Sequence, residues 1–240
     1  MNPNEADSSS ASPLRVVPHE DKKSSEYART LLAEGESPTE LINAQHSAIL
    51  EEVARIEGQL QPVDALKLYE MAYHAAGPVL EIGCLYGKST AILALAMTAA
   101  RAGWPLVSVD VNPRHCSIAA SNVEDLAAEA RVRFVTGNSS QVVPRLELDF
   151  AFAFVDGNHR YPAVRGDLLA VDRRLLPGGF VLLHDYFDLR NEMPPEAPRY
   201  GVVRAAEDIL PPRGYEFRGR FGCTALYQRA GTPLAGRRDL

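Results

Sequence analysis

The sequence contains little cysteine, no surplus of basic charge and no long apolar run. Its three cysteines, Cys84, Cys116 and Cys223, lie far apart, so we predict neither a disulfide framework nor a paired-cysteine zinc motif, and we expect a reducing, cytoplasmic setting. Acidic residues outnumber basic ones by 31 to 25, which disfavours nucleic acid as a partner because phosphate backbones select basic surfaces. No apolar run approaches the roughly 20 residues of a membrane span. The first residues, MNPNEADSSSASP, lack the basic and apolar regions of a signal peptide.

What is present is the composition of a folded globular chain. Hydrophobic residues make up 46% of the 240 residues and charged residues 23%, close to the usage of ordinary folded domains. Serine, proline and charge dominate residues 1–25, which predicts a mobile tail. We expect an N-terminal helical extension over residues 26–76, a main domain over 77–230 and a frayed end over 231–240.

Two helices are predicted ahead of the main domain. Ser37-Pro38-Thr39-Glu40 forms a capping box with proline at the first helical position, and the apolar spacing that follows indicates a helix ending near Gly58. A second helix is predicted from Pro62 to Ala75. The apolar faces of both helices could serve a homodimer or simply cover a sheet.

From Gly77 onward, short apolar runs alternate with helix-length stretches. The runs are rich in Val, Ile or Phe and bounded by turn residues, which indicates strands buried on both faces of a parallel sheet. The predicted strands are Val79–Ile82, Leu106–Val109, Val132–Val135, Phe150–Val155 and Phe180–Leu183, with helices at Lys88–Ala102, Pro113–Ala130 and Tyr161–Leu176. After a helix at Val202–Leu210, the segments Tyr215–Arg218 and Thr224–Gln228 predict a closing hairpin that places an antiparallel strand in the sheet.

Polar and acidic residues recur directly after the predicted strands. In an open parallel sheet, ligands bind beyond the carboxyl ends of the strands, where the strand order reverses, so these positions are the candidates for chemistry. They are the segment Glu81–Thr90, Asp110, Gly137–Ser139, Asp156–His159 and the pair His184 and Asp185.

The loop after the first strand and the polar residues after the next two could form a nucleoside site. Gly83 and Gly87 allow a sharp turn and a close approach of a ligand to a helix start, although the same glycines could serve only tight packing. Their spacing matches neither the dinucleotide nor the phosphate-binding glycine motif. Asp110 follows Gly87 by 23 residues, near the ~20 expected of an acid that binds ribose hydroxyls. Asn138 and Ser139 could bond an adenine edge or cap a short helix.

The sequence resembles class I S-adenosylmethionine-dependent methyltransferases in five segments, VLEIGCLYGKST, VSVDVNP, VTGNSS, FAFVDGNHRYPAV and LLPGGFVLLHDY. The last two are similar to the branch of catechol-type O-methyltransferases and metal-dependent sugar O-methyltransferases of antibiotic pathways. This resemblance spans about residues 60–229. It implies a Rossmann-like, seven-stranded, mostly parallel α/β sheet with an antiparallel C-terminal hairpin strand and helices on both faces.

The resemblance also implies how S-adenosylmethionine would be held. The glycine loop would line the methionine end of the cofactor, Asp110 the ribose, and Asn138 with Ser139 the adenine. In much of the family an acid stands where this sequence has Asn138. The residues that we expect to bind the cofactor are Glu81, Gly83, Tyr86, Gly87, Ser89, Thr90, Asp110, Asn138, Ser139 and Asp156.

A divalent cation, Mg²⁺ or Mn²⁺, is the second cofactor that the resemblance implies. Metal-dependent members use an acid after the fourth strand and a pair after the fifth, positions that match Asp156 and His184 with Asp185. Such an ion can chelate two substrate oxygens and lower the pKa of an attacking hydroxyl. His184 departs from the acid usual at its position, so it either shifts the preference toward Mn, Fe, Co or Zn or does not ligate. In the second case His184 is a hydrogen-bonded strand-end histidine, and Asp185 a helix cap or lid contact.

His159 offers a different mechanism at the same place. Its imidazole could take a proton without a metal, or it could merely cap the helix that begins near Tyr161. The remaining histidines show no converging partners and are expected to be structural or solvated, and Cys84 is expected to pack as a small apolar residue. The expected catalytic residues are Asp156, His159, His184 and Asp185, and the histidines expected to be structural or solvated are His19, His46, His74 and His115.

The segment Tyr186–Tyr200 is long, rich in proline and directly follows the expected metal pair. Loops of this length in a compact domain usually have a function, so we predict a lid over the substrate, with a plain surface connection as the alternative. The candidate substrate contacts are Tyr186, Phe187, Arg190 and Tyr200.

Together these features predict a methyltransferase that acts on a hydroxyl of a small molecule with a divalent cation, in the manner of antibiotic biosynthesis. Two alternatives stay open: metal-free O- or N-methylation with His159 or His184 as the base, and a cofactor-binding protein without catalysis. The glycine spacing disfavours a nicotinamide dehydrogenase, and the net charge disfavours an RNA or DNA methyltransferase.

Overall fold

The computed structural model describes residues 44–194 and 199–231 of the chain. The expected mobile tail, the capping box at Ser37–Glu40 and residues 232–240 of the expected frayed end lie outside these residues. The first described helices are α1 (Ala44–Ala54) and α2 (Pro62–Tyr73). Helix α2 begins as predicted at a proline, and Asp64 closes a capping box with Gln61. The division into an extension and a main domain stays a prediction.

Seven strands form one sheet in the order β3-β2-β1-β4-β5-β7-β6. The pairs among β1 to β5 are parallel, whereas β7 runs antiparallel to both of its neighbours, β5 and β6. This confirms the predicted fold class, a Rossmann-like sheet closed by an antiparallel hairpin strand. The strands are β1 (Val79–Ile82), β2 (Leu106–Asp110), β3 (Val132–Thr136), β4 (Phe150–Val155), β5 (Leu175–Leu183), β6 (Tyr215–Phe221) and β7 (Thr224–Arg229).

The helices between the strands are close to those predicted, with shorter C-terminal ends. They are α3 (Lys88–Ala99), α4 (Pro113–Ala127), α5 (Ser139–Val142), α6 (Tyr161–Asp172) and α7 (Val202–Ile209). Helix α4 begins as expected, because the side chain of Asn112 accepts a hydrogen bond from the backbone of Arg114 and Pro113 stands at the first position.

The start of β5 was predicted wrongly. The sequence Leu-Leu-Pro-Gly-Gly before Phe180 indicates a turn, yet β5 already begins at Leu175, which pairs with Phe150 of β4. The register of that pair shifts between Phe150 and Phe152, so the proline and glycines are accommodated where the pairing is irregular. Helix α6 therefore ends at Asp172 rather than at Leu176.

The core lies on both faces of the sheet, as strands without polar alternation require. In β4, Phe152 and Phe154 pack with α2 and α3 on one face, while Ala153 and Val155 pack with α6 and α7 on the other. The strand order reverses between β1 and β4, so the carboxyl ends of the central strands open into one crevice. Among the described residues no helix has the length and apolarity to cross a membrane.

Candidate active site

A cavity of about 980 Å³ opens at the carboxyl ends of the central strands. The predicted site residues on its wall are Gly83, Ser89, Asp110, Asn138, Ser139, Asp156, His159, His184, Asp185, Arg190 and Tyr200. The predicted site residues that are not on its wall are Glu81, Tyr86, Gly87, Thr90, Tyr186 and Phe187. The structure thus brings most of the candidates into one space, and the roles assigned to them remain predictions.

The two glycines of the loop after β1 have different neighbours. Gly83 has a left-handed φ of 92°, and a Cβ there would strike the backbone carbonyl of Asp156 and stand 2.9 Å from Cα of Gly157. Gly87 has the same φ, but a Cβ on it would stand 2.9 Å from Cα of Ala119 in α4. Gly83 therefore lets the β1 and β4 ends meet at the cavity, whereas Gly87 serves the packing of α3 on α4.

Glu81 lies beneath the loop rather than on the cavity wall. Its side chain is fully buried and accepts hydrogen bonds from the hydroxyls of Ser89 (2.6 Å), Thr90 (2.5 Å) and Ser108 (2.6 Å). Burial raises the pKa of Glu81 to about 7, against the lowering effect of these three donors. The carboxyl group thus ties the start of α3 to β1 and β2, and it shapes the loop from below.

Asp110 braces the same loop from the end of β2. Its Oδ2 accepts from the backbone N–H groups of Cys84 and Leu85, both at 3.2 Å, and its Oδ1 accepts from that of Asn112 at 2.8 Å. The Nδ1 of His115 lies 3.2 Å from Oδ1. The expectation that His115 has no converging partner is therefore wrong, because the first turn of α4 turns its ring toward the acid and into the cavity wall.

Cys84 behaves as expected of a small apolar side chain. It is buried in a cluster with Cys116 and Ala119, and all three cysteines of the chain are free. Burial, the largest cause, raises the pKa of the Cys84 thiol. Cys84 therefore contributes packing and its backbone N–H to the loop.

Asn138 and Ser139 lie at the cavity wall after β3. The side chain of Asn138 accepts from the backbone of Ser140 at 3.0 Å and caps α5, which is one of the two alternatives that its sequence allowed. The hydroxyl of Ser139 donates to Asp167 of α6. Asp167 is a cavity residue that the sequence analysis missed, and burial raises its pKa to about 6 although the Ser139 hydroxyl opposes this.

Four side chains with metal-ligating atoms converge at the ends of β4 and β5. One donor atom from each of Asp156, His159, His184 and Asp185 lies within 4.8 Å of every other. The Nε2 of His159 lies 3.3 Å from Asp156 Oδ1 and 3.2 Å from Asp185 Oδ2. The alternative in which His159 caps α6 is not observed, because the cap position is Arg160 and carries no side-chain cap bond.

His184 is the most deeply buried of the four, with 6% of its surface exposed. Its Nδ1 lies 3.2 Å from Asp156 Oδ1 and 3.4 Å from Asp185 Oδ1, yet it makes no hydrogen bond of acceptable geometry within the described residues. Burial disfavours the charged ring, but the proximity of Asp156, Asp64 and Cys223 outweighs this effect and raises the pKa of His184 in the chain without a bound ion. The two histidines in turn lower the pKa of Asp156 against the effect of its burial.

The backbone aims Asp185 into this cluster. Asp185 adopts a left-handed φ of 55°, a conformation that costs an aspartate energy and persists only where its surroundings fix it. The side-chain amide of Asn191 donates to the Asp185 carbonyl at 2.8 Å, and the 3₁₀ helix Leu189–Asn191 follows directly. Asp185 is therefore fixed by the turn behind it, and the helix-cap alternative does not describe it, since Asp188 holds that position.

The segment after β5 contributes a stacked wall. The Tyr200 ring stacks on the His159 ring, with centroids 4.4 Å apart, and the Arg190 guanidinium also lies over the Tyr200 ring, 4.2 Å from its centroid. Asp188 holds Arg190 by two hydrogen bonds of 2.7 and 2.8 Å. Two other candidates, Tyr186 and Phe187, pack against each other and toward Tyr227 and Phe217 instead. Residues 195–198 of the expected lid lie outside the described residues.

Comparison with protein families places a family model at this part of the chain. Residues 80–186 match the model of a methyltransferase domain, which covers the glycine loop, Asp110 and all four residues of the cluster. This match supports the resemblance to methyltransferases over residues 80–186. No protein of curated function matches the sequence.

Solved structures share the fold over nearly the whole chain. An O-methyltransferase from Bacillus cereus in complex with SAH superposes with a TM-score of 0.59 at 17% identity, covering 88% of this chain and 100% of that one. The O-methyltransferase TomG from Streptomyces achromogenes, in complex with SAM, gives 0.59 at 21% identity over 87% and 96%. The methyltransferase PaMTH1 from Podospora anserina, bound to SAH, gives 0.61 at 14% over 90% and 99%.

Proposed function

Since residues 80–186 match the model of a methyltransferase domain, we propose that this chain uses S-adenosylmethionine to methylate a hydroxyl oxygen of a small molecule with the help of a divalent cation. One observation carries the proposal: Asp156, His159, His184 and Asp185 converge on the wall of the cavity that the glycine loop also lines. A protein that only bound the cofactor would have no need of four such side chains beside it.

Residues at both ends of the cavity support the binding of the cofactor. The close approach of Gly83 to the β4 end leaves backbone, rather than side chains, at the strand crossover where the methionine part would lie. Asp110 offers carboxylate oxygens to a ribose on the wall of the same space, with Ser139 and Asp167 at the side assigned to adenine. The Bacillus cereus and Streptomyces achromogenes neighbours are described with SAH and SAM, which supports this use of the fold.

The cluster also fits a divalent cation. The buried Nδ1 of His184 has no hydrogen bond in the described part of the chain, although polar atoms inside proteins are usually paired. We propose that Asp156, His184 and Asp185 hold the ion, with His159 as a fourth donor. Two imidazoles and two carboxylates suit Mn, Fe, Co or Zn better than Mg, which prefers oxygen. When bound, the ion would polarise the acceptor hydroxyl and lower its pKa.

The chain's own residues would position the acceptor against the methyl donor. The stack of Arg190, Tyr200 and His159 forms a rigid wall beside the cluster, and fixing the acceptor oxygen in line with the methyl group is a large part of methyl-transfer catalysis. A hydroxyl proton released there has carboxylate oxygens and the His159 ring within reach, because both lie on the cavity wall.

Cofactor binding and chelation test the two halves of the proposal separately. Calorimetry with S-adenosylhomocysteine should detect binding, and turnover on a panel of polyhydroxylated small molecules should stop on exhaustive chelation and return with Mn²⁺. Asp156→Ala and Asp185→Ala should abolish turnover, while Asp149→Ala, at an exposed acid before β4, should not. Turnover that survives chelation would favour the metal-free mechanism with a histidine base, and no affinity for the cofactor product would contradict the whole proposal.

We make three wider proposals beside this assignment. TomG is described as taking part in tomaymycin synthesis, and we propose a comparable biosynthetic role, on a small molecule, for this chain. We also propose a cytoplasmic location, which the free cysteines support, and a homodimer through the N-terminal helices. Size-exclusion chromatography with light scattering tests the proposed homodimer, and a monomer would contradict it.

A further inference from the structure

A buried group of polar side chains lies behind His184, on the side away from Asp156. Asp64 of α2 and Cys223 of the β6–β7 turn meet there, with Asp64 wholly buried and Cys223 9% exposed. The Cys223 Sγ lies 3.4 Å from Nε2 of His184 and 3.2 Å from Oδ2 of Asp64. Both residues lie outside residues 80–186, the part that the family model matches.

The donors and acceptors of this group can be assigned one by one. Asp64 accepts from the backbone of Cys223 at 2.9 Å and from that of Gln61 at 3.2 Å. A carboxylate only accepts, so the thiol proton of Cys223 is directed to Asp64. The Cys223 sulfur is then free to accept from Nε2–H of His184. When the ring gives up its Nδ1 proton to bind an ion, this chain of bonds keeps the other proton on Nε2, and the lone pair on Nδ1 then faces Asp156 and Asp185.

We propose that Asp64 and Cys223 are positioning residues that fix the ring and the tautomer of His184 so that Nδ1 is presented to the cation. The proposal rests on the proposed function, since it concerns the same metal centre. A metal-ligating histidine commonly donates its second ring N–H to a partner that sets its orientation and basicity. A carboxylate ligand has no tautomer to be fixed, because either of its oxygens can ligate.

The local packing is specific to this arrangement. Gly222 has a left-handed φ of 58°, and a Cβ on it would strike a carboxylate oxygen of Asp64. The turn can therefore bring Cys223 to Asp64 only with glycine before it. The carbonyl of Cys223 also accepts from the backbone of Phe187 at 3.0 Å, which ties the turn to the segment that leaves Asp185. Three distant parts of the chain are thus locked together around one imidazole.

The test compares Asp64→Asn, Cys223→Ala and Cys223→Ser in the full chain. Asp64→Asn keeps an acceptor for the backbone of Cys223 but not the carboxylate, and Cys223→Ser restores a donor and acceptor that alanine removes. Calorimetry with Mn²⁺ should show affinity at least about tenfold weaker for the asparagine and alanine variants, with the serine variant closer to the wild type. Cys116→Ser, a buried cysteine away from the cluster, is the matched control and should bind Mn²⁺ as the wild type does.

A direct readout of the tautomer accompanies the affinities. In NMR spectra of the ¹⁵N-histidine-labelled protein with Zn²⁺, the wild type should show a protonated Nε2 and a metal-bound Nδ1 on His184. Asp64→Asn and Cys223→Ala should show a mixture of the two tautomers. Binding of S-adenosylhomocysteine and the unfolding temperature are measured for each variant, so that a general loss of structure is recognised. For a variant that fails to fold, Cys223→Ser still provides the comparison.

The outcomes separate this inference from the proposed function. Wild-type affinity for Mn²⁺ in both Asp64→Asn and Cys223→Ala would overturn the inference alone. A thiolate-to-cobalt charge-transfer band in the Co²⁺ form, lost in Cys223→Ser, would also overturn it, because Cys223 would then be a ligand itself. A wild type that binds no divalent ion would overturn the metal half of the proposed function, and the inference with it.

Discussion

The backbone of Gly83 lies directly against the carbonyl group of Asp156, with no room for a side chain between them. This contact joins the loop that we propose for the methyl donor to Asp156, the first acid of the proposed cation site. Hydrogen bonds on either side maintain it, since the N–H of Gly83 donates to Val109 at 2.8 Å and that of Asp156 to Ile82 at 2.8 Å. The two half-sites are therefore held at a fixed separation by backbone alone.

Gly83→Ala should break that contact. The added Cβ meets the β4 end in a backbone conformation that costs a non-glycine residue about 1–3 kcal/mol, so we expect reduced stability and at least about tenfold weaker binding of S-adenosylhomocysteine. Gly103→Ala is the matched control, because a Cβ there meets nothing within 4 Å. Denaturant unfolding and calorimetry measure both effects. Unchanged cofactor affinity in Gly83→Ala would contradict the assigned position of the methionine part.

Asp110→Asn should weaken cofactor binding. The carboxylate of Asp110 accepts backbone N–H groups on both of its oxygens, and its negative charge would also attract the ribose hydroxyls. The amide of asparagine has one acceptor oxygen and no charge. Loss of one charge-assisted bond costs about 1.5–3 kcal/mol, or roughly 10- to 100-fold in affinity. Calorimetry should show this for Asp110→Asn and not for Asp125→Asn, an exposed acid of α4. Equal affinities in the two variants would remove Asp110 from the site.

His159→Gln distinguishes a ligand from a general base. If His159 is a fourth donor to the cation, the variant should bind Mn²⁺ at least about tenfold more weakly, and its turnover should recover at saturating Mn²⁺. If His159 is instead the general base, the turnover of the variant should stay low at every Mn²⁺ concentration. Turnover measured across a Mn²⁺ titration, with pre-bound cofactor, separates the two. We expect recovery, and a uniform loss would assign the proton transfer to His159.

Glu81→Gln should change how stability depends on pH. The pKa of Glu81 is raised from 4.5 to about 7 in the folded chain, so its contribution is fully present below pH 4.5 and is lost as the pH rises through 7. Between pH 5 and pH 8 the wild type should therefore lose about 2–3 kcal/mol more unfolding free energy than the variant. Urea unfolding at both pH values measures this, and Glu124→Gln, at an exposed acid of α4, should follow the wild type. A difference independent of pH would mean that Glu81 is already ionised in the folded chain.

The strand-end residues could be predicted because topology alone brings them together. Once a parallel sheet is inferred, Asp110, Asp156 and the pair His184 and Asp185 must share one edge, whatever the details of packing. The helix starts were equally accessible, since the cap at Asn112 is a local feature. The N-terminal part of β5 was missed because Pro177 and the two glycines after it resemble a turn, and only pairing with β4 shows that they continue a strand.

The residues missed at the site fall into two kinds. His115 and Asp167 carried a local signal: one stands in the first helical turn after Asp110, and the other shares a face of α6 with the small residues Ala163 and Gly166 on the cavity wall. Asp64 and Cys223 carried none, because 159 positions separate them in sequence. Contacts of that kind depend on how α2 docks on the hairpin, which no periodicity in either segment encodes.

The contact between the β6–β7 turn and Asp64 affects how this chain could be recombined with related chains. Consider a chimera that keeps residues 80–186 and takes its two flanks from different parents. Its β6–β7 turn and its helix α2 would then come from different proteins, and their contact beside His184 would not be preserved. The two flanks should therefore come from the same parent although they lie at opposite ends of the sequence. In a shuffled library, the crossover points should be chosen so that both flanks are exchanged together.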